Sequence, residues 1–304
     1  MDPFSFQWHL SDRCNLRCRH CYQEDHSAAR ERDASFWIEL LEHIRLGLAK
    51  GEGLSINLTG GEPLLLEGLP LLLEALDHCP DVQELQIITN GTLIEGPVFE
   101  SLGRCRKLTA VKISVEAGQA ELNDAVRGAG MFRRVEENLE HFRKLKRPLV
   151  AMVTLGAHNL HGLDSCWPWV CEQGLDGLLL ERFVPLGAGR HLAPGPIDEA
   201  AWQSALRRLA QSAGLDLDPR ELEWVRAVWI KRAADGGIEF CAAACELGGG
   251  SMALMPDGSV YACRRLPRVL GRMPETSFVG IRKGLMSFSP IKGGCRALDE
   301  AIRR

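Results

Sequence analysis

No stretch of this chain is apolar for long enough to span a bilayer, and no signal peptide opens it, so nothing in it directs secretion or membrane insertion. Nor does charge of one sign accumulate. With 36 Lys and Arg against 40 Asp and Glu, the formal net charge is −4, which gives no reason to expect a nucleic-acid or anionic-membrane partner. Hydrophobic residues at 45% and charged ones at 25% are ordinary for a globular protein, and 304 residues suffice for one large or two modest domains. Cysteine is not scarce. Eleven thiols without a secretory signal point to a reducing compartment, read as the cytoplasm, and to metal rather than disulfides.

Three of the thiols, Cys14, Cys18 and Cys21, are spaced C-x3-C-x2-C with no fourth cysteine nearby. Soft thiolates so placed can hold three irons of an iron-sulfur cube and leave the fourth open to a small molecule. The alternative is structural zinc, which takes four ligands and usually pairs two C-x2-C knuckles. His20 lies directly between Arg19 and Cys21, where its ring would struggle to turn back onto the same metal.

Around this loop the hydrophobic period alternates between strand and helix. Phe4, Phe6 and Trp8 read as a strand. Phe36, Leu40, Ile44 and Leu48 read as a helix capped by Asp33 or Ser35 and stopped by Gly51 or Gly53. The unit repeats: strands at Leu54–Leu58, Leu85–Thr89, Val111–Val115, Leu149–Leu155 and Gly177–Val184 are separated by helical stretches at Leu65–Leu76, Val98–Leu102, Val135–Phe142 and Trp167–Glu172. This predicts an α/β fold, a partial (βα)6 TIM-like barrel over residues 1–195, whose ligands gather at the carboxyl ends of the strands. The unusual residues fall at those ends: Gly60-Gly61-Glu62-Pro63, Thr89-Asn90-Gly91, Ser114 and Glu116, Thr154 and Asn159, Glu181 and Arg182. Each taken alone is also a plain turn or a solvated strand edge, and their shared rim is what counts.

Past Gly195-Pro196, Trp202, Leu206 and Leu209, then Leu222, Val225 and Ile230, predict two amphipathic helices that bridge residues 196–236. Residues 237–304 form a small C-terminal α+β region with Cys241, Cys245, Cys263 and Cys295, and a Pro256-Asp257-Gly258 hairpin turn. Its thiols fit either zinc or a second cluster. Cys79, Cys105, Cys166 and Cys171 lack a ligand pattern and read as buried hydrophobes.

The C-x3-C-x2-C motif followed by Gly60-Gly61-Glu62-Pro63 resembles the radical S-adenosylmethionine (SAM) superfamily over roughly residues 4–190. The resemblance implies a 4Fe-4S cluster on Cys14, Cys18 and Cys21 whose open iron is chelated by the amino and carboxylate groups of SAM. Reduction would then cleave SAM to methionine and a 5'-deoxyadenosyl radical that takes a hydrogen atom from the substrate. It further implies that Gly60, Gly61, Glu62 and Pro63 meet the methionine amino group and that Ser114 and Glu116 contact ribose, although Glu116 stands where an Asp is usual. Arg182 would pair with the SAM carboxylate, and Asn90 and Thr154 would complete the cofactor site. A flavodoxin- or ferredoxin-type protein would be the low-potential electron donor.

The C-terminal region resembles the SPASM and Twitch extensions of the same superfamily. Cys245, Gly258 and Cys263, with twelve residues in the first gap, are followed by Phe278-Val279-Gly280-Ile281. This implies one auxiliary 4Fe-4S cluster on Cys241, Cys245, Cys263 and Cys295, with no open iron. Such a cluster suits reactions that discard an electron, so the expected function is oxidation or crosslinking of a peptide or protein by a maturase. Against it, the first strand starts near residue 4, leaving no leader-peptide-binding module ahead of it, and no charged peptide groove is legible. A dehydrogenase of a small polar metabolite, such as an amino sugar alcohol, is the second expectation, and a non-catalytic iron-sulfur or zinc carrier is the third. Glu181 is nominated as catalytic base; Tyr261, Arg264 and Arg265 are the other residues near the second thiol group.

Overall fold

The computed structural model describes residues 3–223, 225–233, 235–289 and 295–303. Strand β1 (Phe4–His9) buries Phe4, Phe6 and Trp8 on one face and leaves Ser5 and Gln7 on the other. Helix α1 (Ala34–Arg45) packs over the apolar face, with Trp37 stacked on Trp8 at 5.5 Å between ring centres. The Asp33 side chain caps α1 by accepting the Phe36 amide at 3.0 Å. The helix ends at Arg45, earlier than the expected glycine stop.

Strands β2 (Leu54–Thr59), β3 (Val82–Thr89), β4 (Leu108–Ser114), β5 (Leu149–Leu155) and β6 (Gly177–Arg182) follow as parallel neighbours in chain order. Between them lie α2 (Leu69–His78), α3 (Gly96–Arg104), α4 (Ala120–Arg127), α5 (Met131–Lys144) and α6 (Cys166–Glu172). The leucine-rich helix expected to begin at Leu65 is broken. Pro63–Leu65 makes a short 3-10 turn, and α2 starts at Leu69 with Pro70 in its first turn, where a missing N–H costs nothing.

Helix α7 (Glu199–Ser212) forms as predicted, but the second bridging helix does not. Val225–Arg232 is strand β7, antiparallel to β6, and Ile238–Ala244 is β8, antiparallel to β7. Val225, Val228, Trp229 and Ile230 are β-branched and aromatic residues suited to a strand, and pairing them with β6 covers an edge that would otherwise be exposed. The C-terminal strands are not a separate sheet either. Ser251–Leu254 (β9) pairs parallel with β1, and β10 (Ser259–Cys263) and β11 (Leu266–Arg272) extend that edge, before α8 (Phe278–Leu285) and α9 (Arg296–Ile302).

One eleven-stranded, largely parallel sheet results, and it curls: residues of β1 and β9 share a chamber with residues of β6, β7 and β8 from the opposite end. Among the described residues no helix is long and apolar enough to cross a membrane. The partial barrel departs from common parallel sheets in one respect. Strands buried on both faces usually run apolar throughout. Here Leu54, Ile56 and Leu58 face the helices, while Gln7, Asn57 and Gln86 stand level across β1, β2 and β3 and point inward.

Candidate active site at the carboxyl ends of the strands

The loop after β1 carries Cys14, Cys18 and Cys21, all partly buried free thiols. They line one cavity together with Gly60 and Gly61 after β2, Thr89 and Asn90 at the end of β3, Ser114, Thr154 and Arg182. The two glycines are there for a steric reason. A Cβ on Gly60 or Gly61 would run into the backbone of Ser11–Arg13, and Gly60 has φ +136°, so only glycine lets the cysteine loop lie against the β2 loop. Two hydrogen bonds, Gly61 N to Ser11 O at 2.7 Å and Glu62 N to Arg13 O at 2.8 Å, fasten the loops together.

Glu62 and Pro63 do not line the cavity. The Glu62 carboxylate accepts the Thr89 hydroxyl at 2.8 Å and the Asn90 and Leu64 amides at 2.7 and 3.1 Å, tying the β2 and β3 loops. Burial outweighs these bonds and pushes its pKa from 4.5 to about 7. Because the folded value is raised, the stabilisation is complete below pH 4.5 and is lost as pH rises through about 7. Glu62→Gln should therefore flatten the dependence of melting temperature on pH across that interval; an unchanged slope would refute the assignment. Asn90 holds the cysteine loop: its amide nitrogen donates to Asn15 Oδ1 at 2.7 Å and lies 3.9 Å from Cys14 Sγ.

Glu116 is the second departure from expectation. It is buried behind the cavity wall and does not line it. Its Oε1 accepts both Nε and Nη2 of Arg127, at 2.9 and 2.6 Å, and faces His20 Nε2 at 3.0 Å. Burial pushes this carboxyl up, but the His20 and Arg127 charges overcome it and hold the pKa at about 2. His20 and Arg127 are the members of this trio that reach the cavity. His20 turns Nε2 to Glu116, and its Nδ1 is buried without a partner among the described residues. Arg127 carries no motif of its own in the sequence: it ends the short helix α4, and its partner Glu116 lies before that helix.

Arg182 lines the cavity, but its fork is already engaged: Nη1 donates to Glu199 at 2.6 Å and Nη2 to Ile197 O at 2.7 Å. Only its buried Nε lacks a partner. Glu181 is engaged as an ion-pair partner rather than standing free as a base. It faces the other side of the rim, where Arg264 and Arg265 grip Oε2, the first at 2.9 Å, and Arg226 stands 3.6 Å from Oε1. Burial raises its pKa, but the guanidiniums and Lys112 bring it down to about 2, too acidic to take a proton near neutrality.

The residues present fit a cluster at the N-terminal thiols. Among the described residues no three His, Cys, Asp or Glu side chains converge closely enough to hold a single metal ion. The three sulfurs are nonetheless near enough that charge on Cys14 and Cys18 raises Cys21, which burial first pushes up to about 11. A cage of three soft donors beside a cavity suits a polynuclear centre. In the second group, Cys245 follows β8, Cys263 ends β10 and Cys295 caps α9, and the charges of Cys295 and Cys263 both act on Cys245. Cys241 is not with them. It is exposed within β8, four residues or about 13 Å of extended chain from Cys245. Of the unassigned thiols, Cys79, Cys105 and Cys166 are buried as expected, whereas Cys171 is exposed.

The family model described as the radical SAM superfamily matches residues 8–164. A GTP 3',8-cyclase of Clostridium perfringens is 28% identical over 190 residues, covering 60% of this chain and 55% of the cyclase; the chain thus spans about half the length of such relatives. Mycofactocin maturase MftC of Mycobacterium ulcerans is 28% identical over 270 residues, covering 86% of this chain and 68% of the maturase. Among solved structures, Streptococcus suis SuiB bound to precursor peptide SuiA superposes with a TM-score of 0.70 at 17% identity, over 94% of this chain and 67% of SuiB, a likeness of fold.

Proposed function

We propose, from the premise that this chain belongs to the radical SAM superfamily, that it oxidatively modifies or crosslinks a peptide or protein substrate as a maturase. The observation that carries the reading is the single cavity shared by Cys14, Cys18, Cys21 and the ends of β2 to β6. Cys14, Cys18 and Cys21 would hold the 4Fe-4S cluster, and Gly60, Gly61, Asn90, Ser114, Thr154 and Arg182 would surround SAM. When bound, the pair supplies a carbon radical that takes a hydrogen atom from the substrate. The chain's own residues do the rest. Glu62 and Asn90 position the cysteine loop, Glu116 holds Arg127 and His20 toward the cavity, and Gly60 and Gly61 let the cysteine loop lie close against the β2 loop.

The peptide reading draws support from MftC, whose similarity runs through most of this chain. A second reading, oxidation of a small polar metabolite, is favoured by the interior chamber of about 250 Å³, which suits a sugar- or amino-acid-sized body. Cys245, Cys263 and Cys295 would carry an auxiliary cluster, in a region starting near residue 237, and a flavodoxin- or ferredoxin-type donor would reduce the enzyme. The test is anaerobic reduction of the iron-loaded protein with SAM. Release of 5'-deoxyadenosine is expected, and no release under strong reduction would defeat the proposal.

A further inference from the structure

Below the rim, a second chamber of about 250 Å³ lies inside the barrel and meets the cysteine cavity at Arg264, which lines both. Its wall includes the amide band Gln7, Asn57 and Gln86, with Lys112 from β4 and Trp229 from β7, and it is bounded elsewhere by Cys245 and Cys263, so an auxiliary cluster there would form part of its wall. Lys112 is 5% exposed, held between Val111 and Ile113, which face the other way into the core. Its ammonium donates to Asn57 Oδ1 at 2.7 Å and sits 4.9 Å from the centre of the Trp229 ring. Among the described residues it makes no ion pair, although an ammonium has three protons to donate.

A buried cation without a counter-ion is costly to the fold. Burial lowers its pKa from 10.5 to about 8, with Glu181 pulling the other way and Arg264 and Arg226 adding to the fall. The neighbouring guanidiniums have another partner. Arg226, Arg264 and Arg265 share the one Glu181 carboxylate, and Glu246 also lines the chamber. Lys112 thus has no carboxylate of its own within ion-pair distance among the described residues, and it faces carboxamides that can donate further hydrogen bonds.

We propose that this chamber is the substrate pocket, and that Lys112 anchors in it a single carboxylate of the substrate, of amino-acid or small-metabolite size. The inference rests on the radical SAM reading, since it places the reacting group next to the cysteine cavity.

The test uses the iron-loaded, SAM-bound protein, with succinate as probe, succinamide as its uncharged counterpart and inorganic phosphate as the competing anion, in calorimetric titrations. Succinate should bind and succinamide should not. Lys112→Met should weaken succinate at least about tenfold, the loss of a charge-assisted bond, while Lys112→Arg keeps most of it. Lys112→Met should not lower the melting temperature, because it removes a buried charge, and should still cleave SAM in the absence of substrate. Should it fail to fold, Lys112→Gln carries the same expectation. Equal succinate binding in parent and variant, no succinate binding in the parent, or a preference for phosphate overturns the proposal. Loss of SAM cleavage in the parent itself would instead strike the reading on which it rests.

Discussion

Replacing Cys14, Cys18 and Cys21 together by alanine is expected to abolish SAM cleavage and to halve the iron bound by the reconstituted protein, from about eight to about four per chain. The geometry gives two reasons for so large an effect. The three thiols would be the metal-binding donors of the cavity, and the loop that carries them is clamped by Gly60, Gly61 and Asn90. The fold should survive, because the thiols are partly exposed and the loop's fastening bonds are made by backbone atoms and by Asn15 and Asn90. Iron and sulfide analysis with circular dichroism reads both outcomes. A variant that retains all its iron would place the metal elsewhere, and a parent with only about four irons would remove the auxiliary cluster from the account.

Glu181→Ala should destabilise the fold by about 3–5 kcal/mol, the cost of stranding a buried charge after deleting its partner. Arg265 and Arg264, in the turn between β10 and β11, and Arg226 in β7 converge on this one carboxylate, so its loss leaves buried guanidiniums at the point where the two ends of the curled sheet approach. The effect has a pH signature. With a folded pKa of about 2 against an ordinary 4.5, Glu181 contributes stability that is present above pH 4.5 and is lost as pH falls toward 2. The gap in denaturation midpoint between parent and Glu181→Gln should narrow over that range. A gap that is constant with pH, or a neutral Glu181→Ala, would show that the carboxylate is not the tie described.

Much of this was legible in the chain. Regular alternation of Phe4, Phe6 and Trp8, or of Leu54, Ile56 and Leu58, reports a strand against helices, and those strands stand where the pattern put them. The cysteine spacing and the Gly-Gly turn also declared themselves, because few other chemistries call for them. What escaped was the use of the intervening residues. A search for apolar stripes takes Gln7, Asn57, Gln86 and Lys112 as the solvent side of each strand, whereas the curl of the sheet makes that side an interior. Glu181 and Glu116 were misassigned for a related reason: a strand-end carboxylate signals a ligand site only if no cation comes to it. The arginines that reach them lie far along the chain, at 264 and 265, or in a separate short helix, at 127. Leu222, Val225 and Ile230 loosely fit a helical period, and only the open edge of β6 decides for a strand over Val225–Arg232.

The central claim is that the cysteine cavity holds a cluster with one iron free for SAM. Its most direct test is the electron paramagnetic resonance spectrum of the reduced Cys245→Ala/Cys263→Ala/Cys295→Ala protein, in which only the N-terminal thiols can carry iron, recorded with and without SAM. A clear shift of the signal when SAM is added is predicted, and superimposable spectra at saturating SAM would contradict it.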